Sequence, residues 1–221
     1  TISGSFVPVT ITLPNIYTNL NVLTIQSIDI PLIDISNYIN LEQISFSNTD
    51  VETLLLPNST TLTRITISSH NLQGIQNFAS LPNLERLSIT NNENTPLLVN
   101  VTQNLALSDI NLSSNDMSVL DLTQNVLLED INISNNEFTT IDLTQNVLLE
   151  DLNVSSNNLP TLNVTQNVLL EYLYAGNNLL PNLDVTNNVE LRRIIISNNL
   201  FTTTGLDLTQ NVELNYIDIS N

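Results

Sequence analysis

Three aspartates recur at a fixed spacing and have the side chains best suited to hold a metal ion. Asp109, Asp130 and Asp151 follow one another at intervals of 21 residues, each at the start of a short alternation of apolar and polar residues. On neighbouring strands their carboxylates would stand about 5 Å apart and repel one another, and Ca²⁺ would relieve that repulsion. A calcium site needs about six to eight converging oxygens, which an open sheet does not offer. Duplication of one repeat unit would also place an aspartate at the same position of successive units, without any functional role. We therefore expect no metal and no other cofactor, and keep the three aspartates as weak candidates.

A second group of residues has the side chains typical of protein-binding surfaces. Tyr and Arg are the residue types most enriched at the energetically dominant positions of interfaces. We therefore expect the group to contact a partner protein, with cross-strand packing of the tyrosines as the alternative. The group occupies outward positions of three successive alternating stretches and consists of Tyr172, Tyr174, Arg193, Ile195 and Tyr216.

Residue types that act in catalysis are scarce. The absence of cysteine excludes disulfides, Cys-ligated zinc and a thiol nucleophile. The sequence has no nucleophile elbow, no phosphate-binding loop and no cluster of histidines. The one histidine, His70, occupies a position that other parts of the chain give to asparagine, which favours a structural role at a turn. We predict that the protein is not an enzyme.

The charge balance limits the classes of partner. The 221 residues include 22 acidic and 4 basic side chains, for a net charge of −18. Such a surface repels phosphate groups, so nucleic acids and anionic membranes are poor partners. A membrane-spanning helix needs a run of about 18 apolar residues or more, and the sequence has none.

A repeat positions these residues and covers nearly the whole chain. LLEDINISNNEFTTIDLTQNV, at 127–147, is followed by LLEDLNVSSNNLPTLNVTQNV, at 148–168, so the period is 21 residues. We divide the chain into an N-terminal partial repeat or cap at 1–18, nine units of 21–23 residues at 19–212, and a truncated tenth repeat at 213–221.

The first half of each unit follows the pattern LxxLxLxxN, as in Leu128, Ile131, Ile133 and Asn136. The alternation predicts a strand with one buried face, and the same strands of successive units would form a parallel sheet with a spacing of about 4.8 Å. A buried Asn amide can bond the backbone of the following turn with both its donor and its acceptor. The predicted asparagine ladder consists of Asn92, Asn115, Asn136, Asn157, Asn178 and Asn199.

The second half of each unit has a pattern of its own. Leu-Asp-Leu-Thr-Gln-Asn at 120–125 recurs in later units and predicts a short second strand or a turn, with its last Asn in a second ladder. Units of 21 residues leave little room for a helix. We predict a right-handed, β-rich solenoid with a parallel sheet on its concave face, short strands or turns on its convex side, and few or no helices.

The repeat resembles the short leucine-rich repeats of bacterial surface proteins, such as internalin-like proteins and the leucine-rich-repeat proteins of Bacteroidetes. The resemblance rests on LxxLxLxxN, which recurs along nearly the whole chain. It implies a secreted, cell-surface or outer-membrane-associated protein that takes part in adhesion and binds a protein through the concave sheet.

Two alternative functions remain open. The first is an accessory subunit of a larger surface assembly, which docks through the edge of the solenoid or through its C-terminal end. Ile217 and Ile219 lie in the last strand, and no cap follows in the sequence, so we expect their layer to be exposed and to be covered by further sequence or a partner. The second is a carbohydrate-binding surface on which Tyr172, Tyr174 and Tyr216 stack against sugar rings.

Overall fold

The computed structural model describes residues 11–12, 19–92, 96–202 and 205–220. In chain order the strands are β1 (Ile11–Thr12), β2 (Val22–Gln26), β3 (Leu32–Asp34), β4 (Gln43–Ser47), β5 (Thr53–Leu55), β6 (Arg64–His70), β7 (Ile75–Asn77), β8 (Arg86–Asn92), β9 (Leu98–Asn100), β10 (Asp109–Asn111), β11 (Asp130–Asn132), β12 (Asp151–Asn153), β13 (Tyr172–Tyr174), β14 (Arg193–Ile195) and β15 (Tyr216–Asp218). The N-terminal cap predicted at 1–18 falls largely outside the described residues.

Ten of the described strands form one parallel sheet, which we call the concave sheet. Its order is β2-β4-β6-β8-β10-β11-β12-β13-β14-β15, one strand from each successive coil. Asp109 pairs with Asp130 and Ile110 with Ile131, so equivalent positions of neighbouring coils lie side by side. Because the hydrogen-bond ladders join different coils, each coil is stabilised by its neighbours. The predicted solenoid with a parallel sheet is confirmed.

The opposite side of the solenoid changes along its length. In the N-terminal coils β1, β3 and β5 form a small sheet, and β7 pairs with β9. Among the later described coils, turns take the place of strands apart from an isolated bridge between Leu183 and Leu206. The described residues form no helix, and therefore none long and apolar enough to cross a membrane.

The core is a stack of aliphatic layers. In one coil the buried side chains are those of Leu128, Ile131, Ile133, Phe138 and Leu143. Each layer excludes water from the next, so burial of apolar surface requires the stack rather than the single coil. The layer of the last described coil lacks a neighbour on one side. Ile217 in β15 is 48% exposed and Ile219, just after the strand, is 54% exposed.

In six of the described coils a buried asparagine holds the turn after the concave strand. Asn136 Nδ2 donates to the carbonyl oxygens of Leu112 at 2.9 Å and Ile133 at 3.0 Å, and its Oδ1 accepts a hydrogen bond from Met117 N at 2.9 Å. The preceding residue, Asn135, has a left-handed φ of 54°, which asparagine adopts more easily than most residues. The buried asparagines at this position are Asn92, Asn115, Asn136, Asn157, Asn178 and Asn199.

Other residues take this position in the N-terminal coils. Ile28 is exposed there, whereas Thr49 and His70 are buried. His70 Nδ1 accepts a hydrogen bond from Leu72 N at 3.2 Å, and His70 pairs with Asn92 of the next coil. Burial lowers the pKa of His70 to about 4. The neutral ring thus occupies the place of an amide at a turn, as the sequence predicts.

A second asparagine ladder lies on the opposite side of the core, and this prediction is confirmed. Asn146 Nδ2 donates to the carbonyl oxygens of Leu122 at 3.2 Å and Asn125 at 2.9 Å. Its Oδ1 is buried without a hydrogen-bond partner among the described residues. The outer ladder consists of Asn104, Asn125, Asn146, Asn167, Asn188 and Asn211.

Candidate functional site

The five residues with interface-type side chains lie together on the concave sheet. Tyr172 pairs with Arg193 and Tyr174 with Ile195, while Arg193 pairs with Tyr216. Paired positions on neighbouring strands are about 4.8 Å apart, so the five side chains form one contiguous surface over β13, β14 and β15. We call this surface the aromatic patch.

Side-chain contacts order one part of the aromatic patch. The Arg193 guanidinium lies 4.8 Å from the centroid of the Tyr216 ring, a distance at which the cation is attracted to the ring face. The Nε atom of Arg193 is buried and has no hydrogen-bond partner among the described residues, while Tyr216 is 45% exposed. The patch therefore offers a partner an aromatic ring and a guanidinium that already stack.

Sequence reasoning missed Arg192, which lies beside the patch. Arg192 Nη1 donates to Glu171 Oε2 at 2.7 Å, and a hydrogen bond with Tyr172 followed by the charge of Glu171 raises the pKa of Arg192. The coil before gives the same position to Glu171, and the coil before that to Glu150. This reversal of charge between equivalent positions is the signal that could have found the contact.

Asp109, Asp130 and Asp151 form a column that continues into the aromatic patch. They pair in register across β10, β11 and β12, and Asp151 pairs with Tyr172. Burial, with the charge of Asp130 as a second cause, raises the pKa of Asp151 to about 6. Burial and the neighbouring carboxylates also raise the pKa of Asp130. At neutral pH the column therefore carries negative charge at positions where burial and neighbouring carboxylates disfavour ionisation.

The surroundings of this acidic column do not resemble a metal site. Among the described residues no three Asp, Glu or His side chains converge so that they could hold an ion. The amide oxygens of Asn111, Asn132 and Asn153 accept hydrogen bonds from backbone N–H groups two residues later, each at 3.1 Å. Each of these oxygens therefore already accepts a hydrogen bond from the backbone just after its own strand. The column and Tyr174 line an open depression of about 410 Å³.

Aspartates on the convex side act within turns. Asp121 accepts hydrogen bonds from Thr123 N at 3.0 Å and from Thr123 Oγ1 at 2.7 Å. These bonds lower the pKa of Asp121. Asp142 and Thr144 repeat the arrangement in the next coil, at 3.0 and 2.7 Å. Such side-chain bonds to the local backbone stabilise turns.

Comparison with known proteins identifies the fold. No protein-family model matches the sequence, and no curated protein matches it. The chain is similar, at a TM-score of 0.72 and 24% identity, to the functional domain of InlJ from Listeria monocytogenes, with 88% of this chain and 48% of that chain covered. The chain has the fold of a leucine-rich-repeat solenoid.

Two further leucine-rich-repeat structures are similar to this solenoid. Internalin InlF from Listeria monocytogenes matches at a TM-score of 0.69 and 17% identity, over 86% of this chain and 65% of that one. The ectodomain of the receptor kinase GASSHO1/SCHENGEN3 from Arabidopsis thaliana matches at a TM-score of 0.57 and 16% identity. The match covers 96% of this chain and 40% of that one. The solenoid spans less than two thirds of the length of each. InlJ includes a cysteine ladder, whereas this leucine-rich-repeat solenoid has no cysteine.

Proposed function

We propose that the chain is a non-catalytic, protein-binding module of a secreted or cell-surface bacterial protein, and that it binds through its concave sheet. The observation that carries the proposal is the contiguous aromatic patch of Tyr172, Tyr174, Arg193, Ile195 and Tyr216. Tyr and Arg provide large contact areas with polar ends, and their ordering before binding reduces the entropy lost on association. The surface location is proposed from the similarity to the internalins.

The acidic column next to the patch favours a partner with basic side chains. Asp130 and Asp151 both have raised pKa values because burial and like charges oppose their ionisation. A Lys or Arg side chain of a partner would relieve that repulsion. Opposite charges beside an apolar contact also speed the encounter and fix its orientation. We therefore expect binding to weaken as ionic strength rises.

A relative of the same fold supports the choice of a protein partner. The GASSHO1/SCHENGEN3 ectodomain was solved in complex with CASPARIAN STRIP INTEGRITY FACTOR 2. For the present chain we keep the division into a cap or partial repeat at 1–18, nine units at 19–212 and a partial unit at 213–221. In this proposal the solenoid presents the concave sheet, and its repeats set the spacing of the contact residues.

A photo-crosslinking residue at Ile195 would capture the partner, whose affinity is then measured with purified variants. We expect the double variant Y174A/R193A to bind about tenfold more weakly or worse, mainly through faster dissociation. The matched control is S45A/R64A, which changes the positions of β4 and β6 that are equivalent to Tyr174 and Arg193. Unchanged affinity of Y174A/R193A, or equal losses in both variants, would contradict the proposal.

A carbohydrate ligand is the second candidate, because exposed tyrosine rings on a sheet can stack against sugars. The engaged amide oxygens of Asn111, Asn132 and Asn153 favour a protein over a glycan, since they leave fewer acceptors for sugar hydroxyls. A glycan array with the wild-type chain and the Y172A/Y174A variant separates the two functions. Binding to the array that the variant loses would support the glycan function.

A further inference from the structure

Six successive coils carry an aliphatic residue at the tip of the same turn. This turn precedes the concave strand and is closed by a hydrogen bond from a leucine N–H to the carbonyl of an outer-ladder asparagine, as in Leu128 N to Asn125 O and Leu149 N to Asn146 O, both at 3.2 Å. The first of its two middle residues is Leu105, Val126, Val147, Val168, Val189 or Val212. We call these residues the lateral row.

The lateral row is exposed at the surface of its turns. Val126, Val147 and Val168 are 44%, 45% and 46% exposed, and the second middle residues Leu127 and Leu169 are 46% and 41% exposed. Turns favour Gly, Pro, Asn, Asp and Ser, which have conformational or hydrogen-bonding reasons to be there. Valine has neither reason, and a continuous apolar row on a soluble protein marks an interaction surface.

Beside Val126 and Val147 the two flanks of the lateral row differ in charge, whereas the equivalent flank position beside Val189 is Arg192. On one flank Glu129 and Glu150 are exposed, and neither takes part in a salt bridge with another residue of the described chain. Their charges help to raise the pKa of Asp130, so their field is not neutralised locally. On the other flank Gln124 and Gln145 are exposed and neutral. A complementary partner is therefore apolar along its centre and basic along one side.

We propose that the lateral row is a docking surface for an amphipathic α-helix of a partner protein, with basic residues along one side of its apolar stripe. This surface is separate from the concave sheet and does not depend on the function proposed for it. A helix repeats every ~5.4 Å along its axis, close to the ~4.8 Å spacing of coils. A strand returns to the same face only every ~6.7 Å and fits the row less well.

Charge disfavours a second copy of the chain as the occupant. Two lateral rows packed together would bring two chains of net charge −18 into contact, and each would add its own Glu129 and Glu150 to the interface. Like charges at an interface suppress association. A helix with lysines or arginines on one flank instead matches the glutamates while its apolar residues cover the valines.

The test uses a fluorescent synthetic helix of about 18 residues, with leucines at a helical spacing and lysines on one flank. Fluorescence anisotropy measures its binding to the complete 221-residue chain. We expect V126N/V147N/V168N to weaken binding about tenfold or more, since three apolar contacts are lost. Asparagine suits turns, so the variant is expected to fold. The control I75N/L98N/V119N replaces three exposed aliphatic residues on the convex side.

Further variants and a second peptide distinguish docking on the lateral row from non-specific attraction of a basic peptide to a negatively charged protein. E129Q/E150Q should weaken binding, whereas E52Q/E137Q, which removes two exposed glutamates elsewhere, should not. A peptide of the same composition with scrambled leucines should bind much more weakly. The concave variant Y174A/R193A should bind the helix normally, so failure of one surface does not imply failure of the other.

The wild-type chain provides a readout that does not depend on variant folding. Methyl NMR spectra with added peptide should show shifts for Val126, Val147 and Val168 and not for Ile75 or Val119. Equal binding of the scrambled peptide, equal loss in the convex control, or shifts spread over the whole surface would overturn the proposal. So would concentration-dependent dimers of the wild-type chain that V126N/V147N/V168N abolishes, because they would assign the row to a second copy.

Discussion

Asn157 shows how one amide joins neighbouring coils. Its Nδ2 donates to the carbonyl oxygens of Ile133 and Val154, each at 3.0 Å, and its Oδ1 accepts a hydrogen bond from Phe138 N at 3.0 Å. Asn146 of the outer ladder uses only its donors, since its Oδ1 has no partner within the described part of the chain. The two ladders therefore differ in the number of backbone groups that depend on each side chain.

This difference predicts that removing an asparagine side chain from the two ladders lowers the free energy of unfolding by unequal amounts. Replacement Asn157→Ala leaves the buried N–H of Phe138 without its acceptor, and the carbonyl oxygens of Ile133 and Val154 keep only Asn136 and Asn178 as side-chain donors. We expect a loss of about 3 kcal/mol in the free energy of unfolding. Asn146→Ala removes an unpaired oxygen together with its donors, and we expect a loss of about 1–2 kcal/mol. Urea unfolding followed by circular dichroism measures both. Equal losses would contradict the unequal roles of the two ladders.

His70 and Asp151 give the folded chain opposite responses to acid. The pKa of His70 is about 4 against an ordinary value of 6.5, so between these values the unfolded chain binds more protons and stability falls as pH falls. The pKa of Asp151 is about 6 against an ordinary 3.8. Here the folded chain binds more protons in the interval, so this group favours folding increasingly as pH falls.

Single replacements separate the two responses. Asparagine occupies the position of His70 in later coils, so H70N is expected to fold. Relative to wild type, H70N should become more stable by about 2 kcal/mol between pH 7 and pH 5, because the shift of the His70 pKa no longer opposes folding. D151N should show the opposite relative change over the same interval. Urea midpoints at both pH values measure it, and parallel profiles for all three proteins would contradict the assignment.

Residue positions were more predictable from the sequence than residue environments. The spacing of LxxLxLxxN places Asn136 and Asn157 at the same turn of neighbouring coils. The same spacing carries no information on the unpaired Oδ1 of Asn146 or on the contact between Arg192 and Tyr172. Those properties depend on side-chain geometry across coils, which a one-dimensional pattern does not record.

At the level of elements, the turn after each concave strand depends on one left-handed residue. Ser156 has a φ of 56°, and a non-glycine residue in this region carries a cost of about 1–2 kcal/mol. Asn135 and Asn177 hold the same position in adjacent coils with φ values of 54° each. Small polar residues recur there because β-branched and bulky residues are disfavoured.

Glycine at this position should therefore stabilise the chain. We expect Ser156→Gly to raise the free energy of unfolding by about 0.5–1 kcal/mol, after the greater entropy of glycine in the unfolded chain is counted. The control Ser155→Gly changes the preceding residue, which is not left-handed, and should lower stability. Urea unfolding measures both variants. A loss of stability in Ser156→Gly would show that the left-handed backbone is not the dominant cost there.

Strands on the two faces differed in how well the sequence predicts them. On the concave side the alternation around Ile131 and Ile133 corresponds to β11. On the convex side Val99-Asn100-Val101 overlaps β9, whereas Leu120-Asp121-Leu122 has the same pattern and forms no strand. The pattern fixes which residues face the core, but pairing with the next coil decides whether a strand forms.

For the whole molecule, the net charge of −18 opposes folding through repulsion between coils. Salt screens such repulsion over about 10 Å at 0.1 M and less at higher concentrations. We expect the melting temperature to rise between low salt and about 0.3 M NaCl. Calcium at matched ionic strength should add nothing. A further rise with Ca²⁺ that D130N removes would instead identify the acidic column as a metal site.

The repeated coils also explain why the candidate surface could be read from the sequence. A solenoid turns a period of 21 residues into contact between neighbours, so Asp109, Asp130 and Asp151 align across the sheet. The same period places Tyr172 beside Arg193 on the next strand. The repeat period does not predict the chemistry of the partner. It determines which positions are neighbours, but not which residue types occupy them.

The units at 127–147 and 148–168 have equal length and are identical at 12 of 21 positions, which bears on how such a molecule changes during evolution. Recombination between these copies removes or adds one whole coil and leaves the two asparagine ladders without a gap. The separation between Asp109 and the aromatic patch then changes in steps of about 4.8 Å. Lineages with different numbers of copies would therefore present Asp109 and the aromatic patch at separations that differ by whole coils.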